Sequence, residues 1–134
     1  MEQRDYIIRE IEKISILILG LIGRLKRIET LKMFEYERGL ILDEFESSTG
    51  INIDSVIHTE TGDIKKLFTR EKGFDYRNME LMADLLFEFS NVMQGRERTL
   101  SIEKAIFLLE LVDSEGKVFS YERRIKLDEL KSLL

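Results

Sequence analysis

Ile14-Ser15-Ile16-Leu17-Ile18-Leu19-Gly20-Leu21-Ile22-Gly23 is an almost unbroken apolar run in a chain of 134 residues of which 35% are charged. Working outward from it, Ile7, Ile11, Ile14, Ile18, Leu21, Leu25 and Ile28 follow one another in steps of four and three. That spacing predicts one continuous helix over 3–28 with a long apolar stripe on one side. At about 100° per residue, Ile16 falls almost opposite the stripe, Leu19 lies well to its side, and Gly20 and Gly23 share the far face with Ile16. The helix therefore has two contact faces, and the second is short and partly glycine. Each helix-interior glycine costs about 1 kcal/mol relative to alanine, so close approach of another backbone is the expected reason for two. Either a later helix of the same chain or a partner subunit is expected to cover Ile16, Leu19, Gly20 and Gly23.

Charge closes the run on both sides, with Glu12-Lys13 before it and Arg24 after. A bilayer-spanning helix needs about 20 apolar residues, and the residues ahead of the run include Glu2, Asp5, Glu10 and Glu12 rather than a basic leader. Neither a membrane span nor a secretory signal is expected. The chain holds no cysteine, which excludes disulfides, thiolate metal sites and cysteine nucleophiles, and a cytoplasmic protein is expected. A net charge of −5 provides no general attraction for phosphate backbones, so nucleic-acid binding would require a local basic patch.

Hydrophobic residues make up 43% of the chain and there is no proline, a balance that favours one helical domain over 1–134. A second helix is expected over 31–46, stopped by Ser47-Ser48-Thr49-Gly50. Asp54 and Thr61 are candidate caps for a single turn over 55–58 and a short helix over 62–70, ended by Lys72-Gly73. Asp75 is placed to cap a helix over 76–93, Thr99 or Ser101 the next one up to 113, and Ser120 a last helix over 121–133. About six helices joined by short loops predict an all-α fold of stacked antiparallel hairpins, tetratricopeptide-like in arrangement although no 34-residue internal repeat is present.

Three stretches carry a resemblance: Asp5-Tyr6-Ile7-Ile8-Arg9-Glu10-Ile11-Glu12, Asn78-Met79-Glu80-Leu81-Met82-Ala83-Asp84-Leu85-Leu86, and Phe119-Ser120-Tyr121-Glu122-Arg123. On these the chain resembles a family of small bacterial all-helical proteins of uncharacterised function with a tetratricopeptide-like C-terminal half. The resemblance implies a fold and no active site.

Candidates for chemistry are few. His58 is the only histidine, close in sequence to Glu60 and Asp63, and reads as a loop residue; as a general base it would need a pocket. The carboxylates at Glu35, Glu37, Asp43, Glu44 and Glu46 alternate with apolar positions as on a solvated helix face, and 113–117 lacks the full calcium-loop pattern. No enzyme activity, cofactor or metal is expected. Arg96, Arg98, Arg123, Arg124 and Lys126 form a candidate ligand-binding group for an acidic peptide or nucleic acid, should they converge in space. The expected function is a non-enzymatic protein–protein interaction module that forms a homodimer through its first helix, with a peptide segment as a further candidate partner; the alternative is a nucleic-acid-binding regulator using the basic group.

Overall fold

The computed structural model describes the chain from residue 2 to residue 134, with side chains from Gln3 onward. Its described residues fold into helices alone: α1 (Glu2–Lys26), α2 (Leu31–Thr49), α3 (Ile53–His58), α4 (Thr61–Leu67), a 3-10 turn (Arg70–Lys72), α5 (Tyr76–Asn91), α6 (Gly95–Glu115) and α7 (Tyr121–Ser132). The all-helical reading holds.

The centre of the molecule is the hairpin of α5 and α6, whose apolar faces supply Met82, Leu85, Leu86, Phe89, Ile102, Ala105, Leu108 and Leu109 to the core. Ser101, about a third of the way along α6, is fully buried and donates to the carbonyl of Leu86 at 2.7 Å, which ties the two helices together. A third helix, α7, returns beside α5: Arg123 bonds Glu80 and Lys126 reaches Asp84, a nearly constant offset that makes α5 and α7 parallel. On the other flank α1 also runs parallel to α5. Ser15 donates to the amide oxygen of Asn78 at 2.7 Å, and further along Leu19, Ile22 and Lys26 border the same groove as Leu81, Asp84 and Glu88.

Asn78 is the polar bolt between α1 and α5. It is fully buried, accepts from Ser15, and donates to the carbonyls of Ile11 at 2.9 Å and Gly73 at 2.6 Å. Its backbone N–H meets the Asp75 carboxylate, the cap that starts α5. A buried polar group with every hydrogen bond made adds specificity without the cost of an unpaired donor. Gly73 makes the approach possible. Its φ is +94°, and a Cβ there would lie 2.5 Å from the carbonyl oxygen of Glu10.

Several expected helix boundaries move. Gly50 stops α2 in the left-handed conformation, with the helix reaching Thr49 rather than residue 46. Asn52, not Asp54, caps α3 by accepting from the Ser55 N–H, while Asp54 pairs with Arg38. Thr61 is the first residue of α4, preceded by Glu60, which makes no side-chain cap. Neither Thr99 nor Ser101 caps α6, because Gly95 at φ +63° turns the chain sharply enough for the helix to begin there. Ser120 caps α7 as expected, accepting from the Arg123 N–H at 3.2 Å.

Candidate self-association face

Three isoleucines in five residues show how α1 divides. Ile14 and Ile18 are completely buried, whereas Ile16 between them is 73% exposed. The inner stripe continues through Leu21 and Leu25, both buried, while its ends at Ile7, Ile11 and Ile28 are only half-buried. On the outer face Leu19 is 48% exposed and Gly20 is exposed. A Cβ at Gly20 would meet nothing within 4 Å; at Gly23 it would meet only the Arg27 guanidinium, at 3.5 Å. No later helix of the chain covers this face. Of the two expected covers, the chain itself is thereby removed. The close packing that explains Gly73 is absent at Gly20 and Gly23, so nothing within the described chain requires those two glycines.

The exposed apolar surface extends across Arg24 onto α2. Arg24 bonds Glu37 at 2.9 Å and also Glu44. The hydrogen bond to Glu37 is the main cause of a raised Arg24 pKa; burial acts against it and Glu44 adds to it. Residues 33, 37, 40 and 44 share one helix face, so the bonds from Arg24 place exposed Met33 and Leu40 along the flank of α1. On the opposite flank, a groove of about 320 Å³ lies between α1, α5 and α7. Its walls include Leu19, Ile22, Leu81, Phe87 and Leu130, with Lys26, Asp84 and Lys126 among the charged residues. Burial raises the Asp84 pKa, and the neighbouring Lys126 only partly offsets that.

The five basic residues do not converge. Arg123 is buried at 6% exposure, where it bonds Glu80, Asp113 at 3.0 Å and the carbonyl of Val118 at 2.9 Å. Burial works against its charge, and the bonds to Glu80 and Asp113 outweigh that, so its pKa is raised. It is a structural clamp between α5, α6 and α7, which corrects its assignment as a ligand-binding residue. Arg124 pairs with Asp113 at 3.6 Å, and Lys126 with Asp84 at 3.2 Å. Arg96 and Arg98 sit in the first turn of α6, whereas Asp113, which anchors the Arg123 end, is near its last. At 1.5 Å per residue these ends are roughly 22 Å apart. The shared basic patch that a nucleic-acid reading requires is not formed.

His58 is exposed at the end of α3, its Nδ1 2.8 Å from the carbonyl of Asp54, and it lines neither this groove nor a second one of about 340 Å³ beside Phe68, Phe74 and Tyr76. Among the described residues no three His, Asp or Glu side chains are grouped to hold a metal ion, and no helix is long and apolar enough to cross a membrane.

Sequence reasoning found the outer face of α1 and missed the bonds of Asn78, the contact of Gly73 with α1 and the groove. Asn78 did leave a signal: it stands in register with Met82, Leu85 and Phe89 on an apolar face, where a polar residue has to be bonded. No family model, curated protein or solved structure matches the chain.

Proposed function

We propose that the chain is a non-enzymatic helical interaction module that self-associates through the outer face of α1, with Ile16, Leu19, Gly20 and Gly23 at the contact. The observation that carries this is the exposure of Ile16 and Leu19 on a helix whose other face is firmly docked. Burying a large aliphatic side chain contributes roughly 1.5–3 kcal/mol, and a two-fold interface gathers each contribution twice. The groove between α1, α5 and α7 is the place for a peptide segment in the same reading. The up-down-up course of α5, α6 and α7 supports the tetratricopeptide-like comparison, and with it the likeness to small bacterial helical proteins. A cysteine-free chain has no disulfide to lose in a reducing compartment, which supports a cytoplasmic setting.

Light scattering across a dilution series, on the wild type and on Ile16→Glu, tests the reading. The expected result is a wild-type dimer that Ile16→Glu converts to folded monomers. A wild type that stays monomeric at every concentration overturns it.

A further inference from the structure

The outer face of α1 carries a charge pattern as well as an apolar patch, and the two together fix how a second copy would lie on it. Going along the face, the order is Glu12, Ile16, then Gly20 and Gly23, then Arg27. The four helical ones lie within about 40° of Ile16 at 100° per residue, Leu19 flanks them, and Arg27, the residue just past the end of α1, lays its guanidinium beside Gly23 on the same face. Both charged ends are exposed, and among the described residues neither Glu12 nor Arg27 forms an ion pair within the chain.

Resting on the self-association reading, we propose that the occupant is a second copy of this chain, its α1 antiparallel to the first about a two-fold axis that passes between Leu19 and Gly20. Ile16 of each copy then sits on the partner copy's glycine at position 23, and Glu12 pairs with the partner copy's arginine at position 27. One midpoint satisfies both matches, bulk against a bare glycine and acid against base, and a two-fold axis makes each of them twice.

The competing arrangements are worse on the same residues. A parallel two-fold pair sets every residue against itself, so that Ile16 meets Ile16, glycine meets glycine, and Glu12 meets Glu12. Moving the antiparallel midpoint toward Ile18 sets Ile16 on Gly20 but brings Arg9 onto Arg27, and matches Glu12 with Arg24, whose guanidinium is already held by Glu37 and Glu44. Moving it the other way sets Gly20 on Gly23 and drives Ile16 against Arg27. The Arg27 guanidinium rests over Gly23 in the single chain; it is the far end of a flexible side chain, free to swing to the partner's acid when Ile16 takes that space.

Because the chain contains no cysteine, engineered thiols report the register without background. The probes are Ile16→Cys, Gly23→Cys and the double variant Ile16→Cys/Gly23→Cys, oxidised under mild conditions and run on a non-reducing gel. Ile16 is exposed, and a Cβ at the half-buried Gly23 meets only the mobile end of Arg27, so folding is preserved, and circular dichroism confirms it. The expected result is that Ile16→Cys alone does not cross-link. An equimolar mixture of the two single variants gives a covalent heterodimer, and the double variant gives a covalent dimer at high yield. Two thiols of the same position would be about 10 Å apart along the axis, beyond the Cα separation of roughly 7 Å that a disulfide spans. A second probe is charge reversal: Glu12→Arg and Arg27→Glu each weaken dimerisation on the order of ten-fold, and the double reversal recovers it. Ready cross-linking of Ile16→Cys to itself, with Ile16→Glu still dissolving the dimer, overturns the register while leaving self-association in place. A monomeric wild type overturns both.

Discussion

Gly20 and Gly73 are both glycines on apolar faces of a helical protein, and the molecule uses them in opposite ways. Gly73 stands where the turn before α5 is pressed against the backbone of α1: its φ is +94°, and a Cβ would meet the Glu10 carbonyl oxygen at 2.5 Å and Ile14 Cγ1 at 2.6 Å. Gly20 has ordinary helix geometry and empty space around it. The first contact is internal and complete. At the second the space is open.

Alanine at the two positions breaks or confirms that contrast most forcefully. Gly73→Ala is expected to cost about 2–6 kcal/mol, from positive-φ strain together with overpacking against backbone that cannot move aside. Gly20→Ala is expected to stabilise the folded monomer by about 0.5–1 kcal/mol, since it adds helix propensity and meets no atom. Urea unfolding at a concentration where the protein is monomeric reads both. A loss of stability at Gly20 would mean that the outer face is already occupied within the chain.

The isoleucines give the next largest effect. Ile18→Ala removes a fully buried side chain from the junction of α1 with the core and is expected to lower stability by about 2–5 kcal/mol. Ile16→Ala, two residues away, is expected to leave monomer stability within about 0.5 kcal/mol and to weaken only the association. Thermal melts at two protein concentrations separate the cases, because only the association term depends on concentration. Equal losses for the two variants would remove the distinction between the faces.

How much of this the sequence made legible follows from what each feature depends on. The inner stripe of α1 and its second face are periodic, and period survives in one dimension; Ile14, Ile18 and Leu21 point inward and Ile16 outward, as their spacing requires. Asp75 and Ser120 were readable as caps because a cap acts within three residues. Arg123 was misread because its partners Glu80 and Asp113 are distant in sequence; in isolation an arginine in the first turn of a helix looks free. The same holds for Arg96 and Arg98, whose distance from Arg123 depends on the length and direction of α6 rather than on any local pattern. Gly73 was legible as a helix stop but not as a contact with Glu10, since the approach depends on α1 lying parallel to α5. The outer face of α1 could be found from residues alone; that none of the described residues covers it could be learned only from the fold.

The smallest predicted effect concerns the groove beside that face. Burial raises the Asp84 pKa from its ordinary value and outweighs the opposing pull of Lys126. The sign follows from proton binding. Where the folded pKa exceeds the unfolded one, the native state holds more protons, so stability falls as pH rises. The contribution from Asp84 is thus full below the unfolded carboxylate pKa and is lost as pH climbs through the raised folded value. Asp84→Asn removes that dependence, because an amide has no charge to desolvate, and it gives up the Lys126 ion pair in exchange. The net change at neutral pH is expected to be small and the change in slope across the acid range measurable. Paired unfolding curves for wild type and Asp84→Asn from pH 4 to pH 7 decide the matter: the variant's advantage should grow as pH rises. If it shrinks instead, the Lys126 pair outweighs burial, and the groove wall at Asp84 is held by that ion pair in spite of its partial burial.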